Sequence, residues 1–352
     1  MQPPIDAMPA LERACRHLLD LQRVDGSWEG EMVWCPMLTA QYVLLHHVIG
    51  HPLEPERRRN ILRSFEYTRL EQGAWGMHEH SSPHLFVTAL VYIAARVLDV
   101  DKDDPLLAPS RDFLRAEGVL NIPTWGKFWL AVLHLYDWRG INAILPELWG
   151  APKWIAIHPS NWYCHTRLIY MSMAVIYARR FRAGLTPVIS SLRGELYPDG
   201  YENADFAAAR NRLRSADLFA RPSALLRIGF ALAGLYERLH SRRRRDRCLR
   251  AIIHQIRWEL RTSSHSSISP VSGLLNILVL WLEDPDDPDC RAALARLEDW
   301  IWEDPQGGTR VTGARSSSWD TAFALQALAC LPDGAEAPGA QDAVQRGTRY
   351  LR

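Results

Sequence analysis

The chain has 352 residues, enough for one large domain or two ordinary ones whose cores need no disulfide or metal staple. Its 41 Lys plus Arg against 40 Asp plus Glu leave a formal charge of +1, which excludes the electrostatic footprint of a nucleic-acid binder. Six cysteines (Cys15, Cys35, Cys164, Cys248, Cys290 and Cys330) are scattered without a C-x-x-C pair, which argues against a zinc knuckle and for reduced, mostly buried thiols.

The opening stretch, MQPPIDAMPALERA, has no basic run ahead of an apolar core, so no secretory signal is expected. Leu11, Ala14, Cys15, Leu18 and Leu19 then fall on one helical stripe. That helix runs into Gln22-x-x-x-Gly26-x-Trp28, a turn carrying a large apolar side chain. A weaker copy follows at Arg69-x-x-x-Gly73-x-Trp75, with arginine in place of glutamine at the same spacing. The pattern has a physical use. Glycine lets the chain leave the helix closely, the indole folds back over the helix end, and the polar side chain satisfies orphan backbone groups of a neighbouring helix. Two copies alone fall short of a repeat array. After the second, His78, Glu79, His80 and His84 supply residue types that suit a metal.

Helical stripes continue at Leu90, Ala94, Val97 and Leu98, and at Phe128, Val132, Leu135 and Tyr136. Each ends at a break such as His51-Pro52, Asp104-Pro105, Leu145-Pro146 or Asp284-Pro285. Arg242 to Arg245, the one dense basic run, reads as a solvated face. The longest apolar run, Val271 to Leu282, is too short to span a bilayer, and no transmembrane helix is expected. Within it Gly273 to Leu282 is apolar all round, which belongs inside a larger helical assembly and suggests two concentric layers. Asp284-Pro285-Asp286-Asp287 reads as a solvated loop. Alternating strand patterns are missing, so the expected class is all-α. The 14 Trp, against 11 Tyr and 9 Phe, ask for a reason.

Four further stretches supply one. IPTWGKFWLAVL (Ile122 to Leu133), HPSNWYCHTRLIY (His158 to Tyr170), ISSLRGELY (Ile189 to Tyr197) and SSSWDTAFALQAL (Ser316 to Leu328) together resemble the lanosterol synthase-like oxidosqualene cyclases. These belong to the squalene-hopene cyclase superfamily, whose hallmark is a glutamine-tryptophan (QW) repeat. The resemblance runs from about Leu11 to the last residue. It implies terpene-cyclase α/α (α6-α6 type) barrels. Residues 1–35 would be an N-terminal segment with the first QW-like repeat, 36–313 an inserted α/α barrel, and 314–352 the truncated start of the catalytic barrel. RGTRYLR, at Arg346 to Arg352, resembles the first half of a further repeat copy, and the family's proton-donating Asp-Cys-Thr-Ala-Glu motif is not in the chain. The expectation is therefore an N-terminal portion that is inactive alone and leaves an apolar face exposed, with the C-terminal half as a partner.

The activity implied is cation-cascade cyclisation of 2,3-oxidosqualene to a sterol precursor, with no metal or cofactor. The enzyme would sit monotopically on the cytoplasmic face of a membrane. Aromatic faces suit such chemistry, because the ring quadrupole attracts a cation but is a poor nucleophile. The family pattern places His165 near the late cation and Tyr163, Trp125 and Trp319 on the cavity wall. Thr166 and Tyr170 match the constriction where substrate enters. Gln22, Gly26, Trp28, Gly73 and Trp75 are structural repeat residues. Met32 stands where many eukaryotic members have a cavity tyrosine, for which Trp34 could compensate. Asp320, in Trp-Asp-Thr-Ala, is expected to be a helix cap rather than an acid, and the His78 to His84 stretch a turn without metal. A squalene-hopene-type cyclase and a non-catalytic lipid-binding barrel protein are the alternatives, as is a split enzyme whose missing half acts in trans.

Overall fold

The computed structural model describes residues 8–30, 32, 35–218, 222–331 and 337–352. Trp34 lies outside the described residues. The first helices are α1 Met8–Asp20, α2 Pro36–Val48, α3 Pro55–Tyr67, α4 Leu85–Val97, α5 Ala108–Glu117, α6 Thr124–Val132 and α7 Cys164–Arg179. They are followed by α8 Pro187–Leu196, α9 Ala224–Leu239, α10 Arg242–Thr262, α11 Pro270–Glu283, α12 Pro288–Arg296, α13 Ser317–Ala329 and α14 Ala340–Tyr350. Two strands, β1 Ile301–Asp304 and β2 Gly308–Val311, pair antiparallel. Contacts divide the chain into two compact units, residues 33–313 and residues 1–32 with 314–352.

Local sequence explains where the helices of the larger unit begin. Pro36, Pro55, Pro187, Pro270 and Pro288 each open a helix, where a missing N–H is no loss and the fixed φ is already helical. Composition then sorts them into layers. α4 is buried at every residue from Leu85 to Ala95, and α11 from Pro270 to Leu280. α2 and α6 are buried almost throughout. Such helices have no polar face to offer water and must be surrounded. α2 packs on α4 and α11, α4 on α6, and α11 on α7. Against them lie amphipathic helices that bury one stripe each: α3 through Ile61, Ser64 and Phe65, α5 through Ser110 and Leu114, α10 through Cys248, Ile252, Ile256 and Leu260.

Charged groups that enter this core are paired, whereas the Gln41 amide of α2 and the Trp129 indole N–H of α6 are buried without a hydrogen-bond partner. Glu195 of α8 accepts from the Tyr92 hydroxyl at 2.6 Å and from Arg96 of α4. Lys127, fully buried on α6, donates its ammonium to the carbonyls of Ala209, Arg210 and Arg212 at 2.7 to 3.1 Å, fixing a stretch of chain that has no helix of its own.

Three expectations need correction. The all-α reading misses the hairpin: its strands have four residues each, too short to display a period of two, and β2 is buried at every position. The Arg242 to Arg245 run is not wholly solvated, because Arg245 is buried between Glu147 and Glu237. Nor is Asp287 a solvated loop residue. It caps α12 by accepting from the amides of Asp289 and Cys290 and pairs with Arg257 at 2.6 Å.

The two tryptophan turns have the same internal wiring, each within its own unit. The Trp75 indole donates to the Phe65 carbonyl at 2.8 Å, ten residues upstream. Its backbone N–H donates to the Thr88 hydroxyl at 3.1 Å. The Trp28 indole likewise donates to the Leu18 carbonyl at 2.7 Å, also ten residues upstream, and its N–H to the Thr321 hydroxyl at 2.9 Å. Gln22 donates to the carbonyls of Gly26 and Ala343, while Arg69 reaches the Pro105 carbonyl, so both polar side chains serve backbone acceptors of a following segment. Gly26 and Gly73 have φ of +90° and +77°, and a Cβ on them would fall 2.7 Å from the Arg346 carbonyl oxygen and 2.5 Å from Pro109. In the smaller unit Trp28, Ala324, Leu328 and Ala343 form the core that joins α1, α13 and α14.

Trp75→Phe keeps most of the ring and removes the donor. Because the Phe65 carbonyl would then be buried without its partner, urea unfolding should show a loss of about 1–3 kcal/mol; an unchanged midpoint would remove this hydrogen bond from the description of the turn.

Candidate functional site

Four sequence-derived site residues of the larger unit, Tyr163, His165, Thr166 and Tyr170, lie at or near the start of α7, and the loop ahead of it explains why. His158 is buried, accepts the Ser160 N–H at Nδ1 (3.0 Å) and reaches the Trp149 carbonyl through Nε2 (3.3 Å). That pattern assigns the proton to Nε2. Asn161 donates to the carbonyls of Lys153 and Ile155. His158 and Asn161 therefore fold the loop, and α7 starts where it ends.

From that start Tyr163 and His165 project together, their rings stacked at 5.4 Å between centroids and 22° between planes. Tyr163 is exposed and His165 half-buried. Thr166 is exposed on the first turn. Tyr170, one turn further, is buried, and its hydroxyl donates to the Leu145 carbonyl. Burial, with the nearby Glu147 carboxylate, pushes the Tyr170 phenol well above its ordinary value, so it stays neutral. The Trp162 ring meets Tyr170 edge-on at 5.0 Å. Trp125 is half-buried on α6, stacked on Phe128 at 6.2 Å. Trp319 belongs to the smaller unit, where it is exposed and edge-on to Phe323 at 6.1 Å. Met32 is exposed as well.

Tyr170 and Trp162 open onto a cavity of about 660 Å³ lined almost wholly by apolar groups. Ala143, Ile144, Leu145 and Leu148 form one wall, and α9 forms the other through Leu226, Gly229, Phe230, Leu232, Ala233 and Tyr236. Thr166 is not among the lining residues. A cavity of this size and character accepts an apolar chain, with the phenols of Tyr170 and Tyr236 and the Trp162 indole as the polar side chains of its lining.

The wall formed by α9 is unusual. None of its 16 residues is buried, and Leu225, Leu226, Ile228, Leu232, Leu235 and Leu239 are exposed. The sequence carries a signal for this helix: SALLRIGFALAGLYERL has apolar residues at helical spacing and no charge between Arg227 and Glu237. What holds it is ionic. Glu237 receives Arg180 of the chain after α7 at 2.7 Å and Arg245 of α10 at 2.7 Å, and Arg245 also binds Glu147 at 2.8 Å. Burial alone would push the Glu237 carboxyl up; hydrogen bonding and charge from Arg245, with Arg180, outweigh it and hold the group below its ordinary range.

The squalene-hopene cyclase N-terminal domain family matches residues 11–306. The chain belongs to that family. Among its relatives, human lanosterol synthase is 37% identical over 335 residues, 94% of this chain and 46% of the relative. Mouse lanosterol synthase is 35% identical, over 94% of the chain and 45% of the relative. A cycloartenol synthase of Dictyostelium discoideum is 33% identical, over 91% and 46%. The chain spans about half the length of the curated relatives it matches.

Asp320 and Asp286, the two carboxylates whose sequence contexts suit a cyclase acid, each have another neighbour. Asp320 is not the helix cap expected: Ser316 caps α13 by accepting the Trp319 N–H, and Asp320, one turn in, accepts the Gly30 N–H at 2.8 Å. Asp286 is exposed beside Arg291. His78, Glu79 and His80 are exposed, while His84 is half-buried 3.7 Å from Asp217. Among the described residues no group of three potential ligands converges on a metal position.

If Glu237 is the pin of α9, Glu237→Gln should raise limited proteolysis within α9 several-fold at neutral pH without exposing α4 or α11. In the unaltered chain the Glu237 carboxyl is lowered on folding, so its contribution is complete above 4.5 and is lost as pH falls through its folded value. Cleavage of α9 should then rise only on acidification below that point.

Proposed function

We propose that this chain provides the N-terminal portion of a triterpene cyclase that converts an epoxidised, squalene-like polyprenoid to a sterol-type skeleton. Residues 36–313 would form one α/α barrel of the enzyme. The observation that carries the reading is the apolar cavity behind α9, with Tyr170 in its lining and the Tyr163–His165 stack one turn away. Family membership and relatives that are lanosterol and cycloartenol synthases support it.

In this reading the substrate is an apolar chain that passes from a membrane through the cavity beside Tyr170. The exposed aliphatic face of α9 rests in the interfacial region of the bilayer, monotopically, on the cytoplasmic side. No helix among the described residues is long and apolar enough to cross. His165 and Tyr163 face the cation late in the cascade, and Trp125 and Trp319 add cavity wall; their rings stabilise positive charge without capturing it. Thr166 edges the constriction. Gln22, Gly26, Trp28, Gly73 and Trp75 serve the QW-type turns and take no part in the reaction. The proton that opens the epoxide is not assigned to any residue of this chain. The partner that completes the cavity is the C-terminal half of a cyclase.

The reading is tested by joining residues 1–352 to the remaining half of a lanosterol synthase in cells that lack their own. Turnover of 2,3-oxidosqualene is expected, and His165→Ala should lower it at least about tenfold through the lost cation stabilisation. An unchanged rate and product would remove His165 from the site; saturable polyprenoid binding with no turnover in the unaltered protein would establish the lipid-binding alternative.

A further inference from the structure

A second cavity, of about 680 Å³, is also lined by α9 and mixes apolar side chains with a cluster of charged ones. Phe230 and Ala143 line both cavities, so the two are separated by little more than those side chains. The second is lined by Arg139, Arg180, Arg182, Arg210 and Arg238 against two carboxylates, Asp137 and Glu237. Both carboxylates are already engaged. Asp137 takes Arg139 at 3.0 Å and Arg182 at 3.2 Å, and Glu237 takes Arg180 and, from outside the cavity lining, Arg245. Arg210 donates through Nε and Nη2 to the Arg139 carbonyl, a neutral acceptor that leaves its charge uncompensated. Its Nη1 lies alongside Gly234 of α9, at ordinary van der Waals distance from where a Cβ would stand.

Five guanidinium groups share this recess with two carboxylates, so that Arg139, Arg180 and Arg182 are ion-paired while Arg210 and Arg238 carry the surplus charge, and together they form a receptor for an oxyanion with several acceptor oxygens. The place of that recess narrows the choice. It is bounded by α9, whose aliphatic face is uncovered, so an anion seated there is level with the polar edge of whatever apolar phase covers Leu232 and Leu235. We propose that the arginine-lined cavity binds the phosphate of an anionic phospholipid headgroup, whose acyl chains lie along the aliphatic face of α9. The proposal rests on the membrane reading of α9 given above. It makes docking selective for anionic lipid and fixes the rotation of α9 about its axis, with the apolar cavity facing the hydrocarbon and the arginines facing the headgroups.

The test is sedimentation of the full chain with vesicles of phosphatidylcholine alone or doped with phosphatidic acid. Tighter binding to the doped vesicles is expected. Arg238→Gln, on the exposed α9 and outside the core, should weaken that binding about fivefold, and Arg210→Gln with Arg238→Gln correspondingly more, with binding to neutral vesicles unchanged. Arg242→Gln with Arg243→Gln, in the basic run outside the cavity, should have much the smaller effect; an equal loss would mean a diffuse field and overturn the site. Binding to neutral vesicles with no gain from phosphatidic acid would overturn the headgroup site and leave the membrane reading standing. No binding to either would overturn both. Inorganic phosphate is the remaining arm: if it protects Arg238-dependent thermal stability of the lipid-free chain while phosphatidic acid adds nothing, the ligand is free phosphate and the lipid proposal fails.

Discussion

Helices with no polar face cannot stand in water, and the larger unit is organised by that constraint. α2, α4, α6 and α11 are largely apolar and buried nearly all round, so they form an inner layer and leave the water-facing role to α3, α5, α8, α10 and α12. Several polar groups near them are tied off locally, as Glu195 is by Tyr92 and Arg96, and Ser172 by Asn276 at 2.6 Å, while the Gln41 amide on α2 is left without a partner. α9 is the exception that the same constraint exposes. It has an apolar face and no second layer over it, and it borders the cavity that best fits an apolar substrate.

The tryptophan turns show how such layers are kept in register. An indole that donates to a carbonyl ten residues back bonds the end of one helix to the turn that follows, while a threonine hydroxyl from another helix takes the tryptophan amide. That arrangement occurs around Trp28 and around Trp75 with different neighbours and with different polar side chains, Gln22 and Arg69. What the two turns share is glycine at the left-handed position and the indole two residues later. The spacing is therefore the conserved physical device within this chain, and the identity of the polar residue is secondary to its reach.

Much of this was legible in the sequence because it depends on period and on backbone chemistry. The Gly273 to Leu282 run announced an inner helix, and glycine with tryptophan at fixed spacing announced the turns. Properties that depend on a distant partner were not legible. Arg245 looks like any member of a basic run until Glu147 and Glu237 are placed beside it, 98 and 8 residues away. Asp287 and Asp320 sit in sequence contexts that invite one role and receive another from Arg257 and Gly30. The site divides the same way. Tyr163 and His165 are two residues apart and their pairing could be anticipated, whereas the cavity at Tyr170 is completed by α9, more than fifty residues on, whose aliphatic stripe reads in sequence like that of any amphipathic helix until its lack of a cover is seen.

The ionic attachment of α9 gives this helix an unusual response to its surroundings. A helix held by apolar burial loses its grip when it meets hydrocarbon, since the solvent it was hiding from has gone. Glu237, gripped by Arg180 and Arg245, behaves in the opposite sense: Coulomb attraction between close charges strengthens as the medium around them becomes less polarisable. The same contacts that hold α9 only loosely in water would therefore hold it more firmly at the edge of an apolar phase, so that the helix best able to leave the protein body is clamped to it where it would otherwise be drawn away.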